Sequence, residues 1–93
     1  MYKSTSVLLA GKESEDRIRL LLQLTDISSE DVQDALVMHM KIGASASVAC
    51  VAYGVAPPNF SRALKRLNEV AGIVESIKEI DWKLFPEKLS GKR

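Results

Sequence analysis

The apolar positions of this chain fall into runs whose spacing predicts helices one after another. From Ser14, the run Glu15-Asp16-Arg17-Ile18-Arg19-Leu20-Leu21-Leu22-Gln23-Leu24 opens with a serine able to cap orphan amides and with two acids that suit the positive end of a helix dipole. Its apolar residues Ile18, Leu20, Leu21, Leu22 and Leu24 spread over more than one face, so one neighbouring helix does not cover them. A second partner, within the chain or in another subunit, is implied. The next start is Ser28-Ser29-Glu30-Asp31, with Ser28 at the capping place and Asp31 as a near variant of the capping box. Val32, Ala35, Leu36 and His39 or Met40 then keep the i, i+3, i+4, i+7 spacing of a buried stripe. Lys41-Ile42-Gly43 supplies a basic last turn and a glycine stop.

The stretch from Ser45 to Leu67 reads as helix, turn, helix. Counting from Ala46, Cys50 is the small fifth residue and Gly54 the ninth, while Ala49, Tyr53, Val55, Phe60 and Ala63 fill the apolar places of a helix-turn-helix. Each demand is physical. Two helices that cross closely at the fifth place tolerate only a small side chain, and the turn wants a residue at ease with positive φ. Pro57-Pro58 suits a helix entry, because the amide that proline lacks is an orphan there in any case. The second helix is therefore expected from about Pro58. Its inward stripe is Phe60, Ala63, Leu64 and Leu67, and its outward arc, Ser61, Arg62, Lys65 and Arg66, is basic.

Beyond Leu67 the helical period continues through Val70, Ile73 or Val74, Ile77 and Ile80. Gly72 costs about 1 kcal/mol against alanine inside a helix, so it marks either a kink or a break before a last helix. Trp82, Leu84 and Phe85 form an apolar group that packs on the core or on a second protomer. The first twelve residues lack a helical period. The expected organisation is a flexible N-terminal arm over 1–12, a helical helix-turn-helix domain over 13–85 and a basic tail over 86–93. The fold class is all-α: a small bundle of about four to five helices containing a helix-turn-helix.

Composition narrows the function. The chain has 93 residues, 46% hydrophobic and 27% charged, which fits one soluble globular domain. Its net charge is only +1, so affinity for nucleic acid depends on where charges sit. Glu13, Glu15, Asp16, Asp26, Glu30, Asp31 and Asp34 gather acid around the first two helices, opposed there by Arg17 and Arg19, and that surface should face away from DNA. On the outward arc, Arg62, Lys65 and Arg66 suit phosphates and base edges, and Asn59 and Ser61 occupy the first turn, where a recognition helix meets bases. Arginine also suits a narrow minor groove. The candidate contact set is Ser47, Pro58, Asn59, Ser61, Arg62, Lys65 and Arg66.

Other chemistry finds no support in the residues. The lone Cys50 forms no intramolecular disulfide, fits a reducing cytoplasm, and reads as a small core residue, not as a redox centre. His39 has no second ligand at metal spacing. No phosphate-binding glycine loop and no nucleophile with a base is present, so an enzyme, a cofactor or a small-molecule ligand is not expected. The apolar start, Val7 to Ala10, is a weak signal-peptide candidate, and no run approaches the roughly 20 residues of a membrane span.

Ile27 through Asn68 resembles the PapB-type regulators of fimbrial adhesin operons. The shared elements are Ala35-Leu36-x-x-x-Met40 followed by glycine, then Cys50-x-x-Tyr53 and Phe60-Ser61-x-x-Leu64-x-Arg66-Leu67. The resemblance implies a bacterial helix-turn-helix transcription regulator, cytoplasmic and nucleoid-associated, that binds A/T-rich double-stranded DNA as a homo-oligomer, dimer or higher. Two departures stand out: Ala46 and Ser47 replace basic residues of the family pattern, and Pro57-Pro58 replaces an Asn/Gly-type turn. The competing reading is a helical protein-interaction module that does not bind DNA. Salt dependence separates the two, since phosphate contacts weaken as salt rises and an apolar contact does not.

Overall fold

The computed structural model describes residues 8–84. Among them there are four α-helices and no strand: α1 over Glu15–Leu22, α2 over Glu30–Val37, α3 over Ala46–Tyr53 and α4 over Pro57–Leu84. The all-α expectation is met. A wider π-type turn, Met38–Ile42, prolongs α2 until Gly43 stops it with a left-handed φ of 88°.

Serine hydroxyls start three of the four helices. Ser14 accepts from the Arg17 amide at 3.1 Å and Ser45 from the Val48 amide at 3.1 Å, each relieving one of the four orphan donors of a helix start. On α2 the cap is Ser29, which accepts from the Val32 amide at 3.3 Å. Ser28 is not the cap: the helix begins one residue later than the capping-box spacing suggests, leaving the Ser28 side chain exposed.

Ile18, Leu36, Phe60 and Leu67 are the largest fully buried side chains, one each from α1 and α2 and two from α4. Burying a side chain of this size contributes about 1.5–3 kcal/mol. Around them pack Leu21, Leu22, Ala35, Val37, Met40, Ala49, Cys50, Val55, Ala63, Val70 and Ala71. Leu8 joins this core at 4% exposure, with its amide 3.4 Å from Asn68 Oδ1, so the arm makes an apolar contact before α1 begins. The preceding residues of the arm and the Phe85 and basic-tail expectations lie outside the described residues.

Two expectations about α4 and α1 are resolved. The helix runs unbroken for 28 residues through Gly72, about 42 Å at the rise of an α-helix. Gly72 is buried, and packing along Leu67, Val70 and Ala71 offsets its propensity cost. On α1, Ile18, Leu21 and Leu22 are buried, whereas Leu20, and Leu24 just beyond the helix, stay 62% and 60% exposed; among the described residues that second face is left largely open.

Candidate nucleic-acid interface

The segment from α3 to α4 is positioned by its turn. Gly54 adopts φ 66°, the left-handed region where a side chain would be strained. The following Val55 amide donates back to the Cys50 carbonyl at 2.9 Å. Only Val55 and Ala56 then separate Gly54 from Pro57, the first residue of α4, one position earlier than the sequence suggests. Ala49 and Cys50 are buried at 0% and 5% exposure, the small pair that a close approach of α3 to the core requires. Tyr53 differs from expectation. It is 37% exposed and sits at the rim with Glu15, Arg19, Asp34 and Lys41, where its hydroxyl remains near water.

Inside α4, Phe60, Ala63 and Leu67 face the core at 1%, 8% and 0% exposure, and Leu64 packs partly against it. The candidate residues Ser47, Pro58, Asn59, Ser61, Arg62, Lys65 and Arg66 are all exposed. Asn59, Arg62 and Arg66 follow one another at helical spacing along one stripe of α4, and Ser61 and Lys65 along the next. Arg62 donates to the Asn59 side-chain carbonyl, and Arg66 Nη1 lies 3.4 Å from Glu69. Ser47 sits apart from this arc, on α3, beside the exposed apolar side chains Val48 and Val51 and Ala52.

The cations of α1 and of the α2 exit are engaged by acids of their own chain, unlike two of those in this arc. Arg17 bridges Glu13 at 2.9 Å and Glu75 at 2.8 Å. Arg19 meets Glu15 at 3.3 Å and Asp34 at 3.0 Å, and Lys41 meets Glu15 at 3.2 Å. The Lys41 ammonium, with the Arg19 guanidinium, holds the Glu15 carboxyl below its ordinary value, and the Asp34 carboxylate, with Glu15, raises Arg19. These cations answer acids of their own chain. Among the described residues Arg62 and Lys65 take part in no ion pair, so their charge is left for an external anion.

One acid breaks the expected segregation. Asp26, with Ile27, Ser28 and Ser29 of the link between α1 and α2, lines an open groove of about 320 Å³ whose other wall is Asn59, Arg62 and Arg66. Asp26 therefore faces the basic arc and not the opposite surface. Nothing in the local sequence signals this neighbourhood, because the two walls are far apart along the chain and meet only through packing of α2 on α4.

Among the described residues no group of three or more histidine, cysteine or acidic side chains forms a metal-holding cluster, and no helix is long and apolar enough to cross a membrane. The family of adhesin biosynthesis transcription regulatory proteins, PapB, matches residues 1–80 of the sequence. The chain belongs to the PapB family. The match extends well beyond the 27–68 stretch whose motifs first suggest it. Among the relatives of this PapB-family chain, the AFA-III adhesin operon regulatory protein of Escherichia coli is 34% identical over 68 residues, which is 73% of this chain and 67% of that protein. The F1845 adhesin operon regulatory protein of Escherichia coli is 35% identical over 66 residues, covering 71% of this chain and 78% of that protein. No solved structure matches the chain.

Proposed function

We propose that this protein regulates transcription of an adhesin operon by binding A/T-rich double-stranded DNA through α4, with α3 and α4 acting as the helix-turn-helix. The observation that carries the reading is the exposed arc of Asn59, Ser61, Arg62, Lys65 and Arg66 on the first turns of α4, where Arg62 and Lys65 are not ion-paired. The family membership and the names of the relatives support the same reading.

In this account Lys65 and Arg66 neutralise phosphates, which fixes the register of the helix without reading sequence. Asn59 and Ser61 address base edges from the first turn, with Pro58 and Ser47 at the helix starts close to the backbone. Arg62, steadied by Asn59, enters a narrow A/T groove, whose potential favours a guanidinium. A net charge of +1 gives one protomer little long-range attraction, so binding as an oligomer supplies the affinity by linking several weak contacts. The protein acts in the cytoplasm on the nucleoid, needs no cofactor and performs no catalysis.

Competition between an A/T-rich and a G/C-rich duplex of equal length, at low and moderate salt, tests the reading. Preference for the A/T duplex that weakens with salt is the expected result. Equal indifference to both duplexes at low salt contradicts it and leaves the interaction-module reading in its place.

A further inference from the structure

The lysine amines of the described residues differ in what surrounds them. Lys41 Nζ lies 3.2 Å from Glu15 and Lys78 Nζ 3.3 Å from Glu75. A carboxylate at that distance occupies the donors of the ammonium and repels an incoming anion. Lys12 and Lys83 are exposed and join no ion pair, but each has an acid beside it. Glu13 follows Lys12 in the chain, and Glu79 shares a groove with Lys83.

Lys65 stands in a different field. It is exposed and joins no ion pair among the described residues. It is also the one described lysine with arginines within a helical turn, Arg62 three residues before it and Arg66 one after it. Helical spacing sets Lys65 beside Arg62 on the adjoining stripe of α4. Arg62 is bonded to the neutral side chain of Asn59, which leaves its charge uncancelled. Arg66 meets Glu69 at 3.4 Å with 49% of its side chain still exposed, and Asp26 faces both arginines from the far wall of their groove. Arg62, Lys65 and Arg66 against Glu69 and Asp26 leave one positive charge over, whereas Lys41 and Arg19 against Glu15 and Asp34 leave none.

An exposed amine beside uncancelled guanidinia suits an electrophile that is itself anionic, and an acyl phosphate is that class of molecule. A guanidinium fork matches phosphate oxygens two at a time, and a phosphate held there brings the acyl carbon to the amine. The neutral Lys65 amine gives its lone pair to that carbon, and a C–N bond forms as the carbonyl electrons move to oxygen. Collapse of the tetrahedral centre breaks the C–O bond to phosphate, which leaves with the bonding pair as inorganic phosphate, stabilised by the guanidinia. The nitrogen releases its proton to water. Nothing is oxidised or reduced, and the product is an uncharged amide.

We infer that Lys65 is an acylation site for acyl phosphates, whose modification removes one of the two arc cations left for an external anion. The consequence for DNA rests on the reading above, in which Lys65 neutralises a phosphate. The chemistry of the amine is independent of it.

Mass spectrometry of the full chain treated with acetyl phosphate, read lysine by lysine at low conversion and without DNA, tests the site. Lys65 is expected to acetylate about three- to tenfold faster than Lys12, Lys41, Lys78 and Lys83, the scale of two exposed charge contacts. N-acetoxysuccinimide, an acyl donor without charge, should lose most of that preference, and so should acetyl phosphate in excess inorganic phosphate. Arg62→Glu, at an exposed position, is expected to bring the Lys65 rate down to that of Lys83. A Lys65 rate no higher than the others, or a preference that survives both Arg62→Glu and the neutral donor, overturns the proposal.

Duplex binding then reads the consequence. Acetyl phosphate treatment is expected to weaken wild-type binding to an A/T-rich duplex about two- to fivefold, the scale of one exposed charge pair, and to leave Lys65→Arg, which keeps the charge without the amine, at its own untreated affinity. Equal losses in the two proteins overturn the link between Lys65 acylation and the arc. Selective acetylation of a chain that binds no duplex speaks against the DNA reading alone. Duplex binding without selective acetylation speaks against the acylation site alone.

Discussion

The imidazole of His39 meets the ring of Phe60 edge-on, with centroids 5.6 Å apart and planes at 85°. His39 is fixed from its other side, where Nδ1 lies 2.7 Å from the Ala44 carbonyl, so the exit of α2 and the entry of α4 meet at one aromatic contact. Phe60 is 1% exposed and sits between the exposed Asn59 and Ser61. The residue that seats α4 in the core is thus flanked by two of those proposed to meet DNA. Phe60→Ala is expected to cost about 3–5 kcal/mol through the cavity it leaves. Urea denaturation measures it, and an unchanged midpoint would remove Phe60 from the core.

Gly11 and Gly43 approach so closely that a Cβ added to Gly11, at φ 79°, would lie 3.1 Å from the Gly43 Cα. The Glu13 amide donates to the Met40 carbonyl at 3.1 Å alongside, so this crossing ties the arm to the end of α2. Gly11→Ala combines backbone strain with a backbone clash and is expected to destabilise by more than about 1 kcal/mol. At Gly54 nothing lies within 4 Å of an added Cβ, and only the left-handed strain remains. Thermal melts should therefore rank Gly11→Ala as the more damaging, and the reverse order would show that the arm is not held there.

Asp26 opposes the basic arc across the groove it shares with Arg62 and Arg66. If α4 meets the duplex as proposed, an exposed carboxylate at that place repels phosphates and lowers affinity. Asp26→Asn is expected to tighten DNA binding about two- to fivefold, the scale of an exposed charge pair. Weaker binding by this variant would mean that the groove does not face the duplex.

Glu15 is held below its ordinary value of 4.5 by Lys41 and Arg19. A carboxyl whose folded value is depressed contributes stability above its unfolded value, and that contribution fades as pH falls through the folded one. The wild type should lose melting temperature on acidification toward about pH 3 more steeply than Glu15→Gln, which has no such carboxyl to protonate. Parallel curves for the two proteins would show the Lys41–Glu15–Arg19 cluster to be inert.

Much of the bundle was legible because its signals are local. Ser14 as a cap, Gly43 as a stop, Gly54 at the turn and the Phe60, Ala63 and Leu67 stripe each depend on neighbours within a turn or two of helix. The misses have tertiary causes. Ser28 and Ser29 are equivalent as caps by chemistry, and the burial of Ala35, Leu36 and Val37 sets which one begins the helix. Gly72 reads as a possible break by propensity, yet buried Val70 and Ala71 before it and partly packed Val74 after it carry α4 through it. Tyr53 fits an apolar place by type, but an amphipathic ring is stable at a rim. At the candidate interface, the outward direction of Arg62, Lys65 and Arg66 followed from periodicity. That Arg62 and Lys65 join no ion pair, unlike Arg66 with Glu69, and that Asp26 intrudes, depend on packing between helices, which no local pattern encodes.

The measurement that bears most directly on the central claim is the salt dependence of binding to an A/T-rich duplex by the wild type, Arg62→Ala and Lys65→Ala. If α4 grips the duplex through these residues, each variant binds more weakly than the wild type and lowers the slope of log affinity against log salt by about one for each lost phosphate contact. Their melting temperatures should stay at the wild-type value, because both side chains are exposed. Wild-type affinity and slope in both variants would contradict the account and move the DNA contact away from α4.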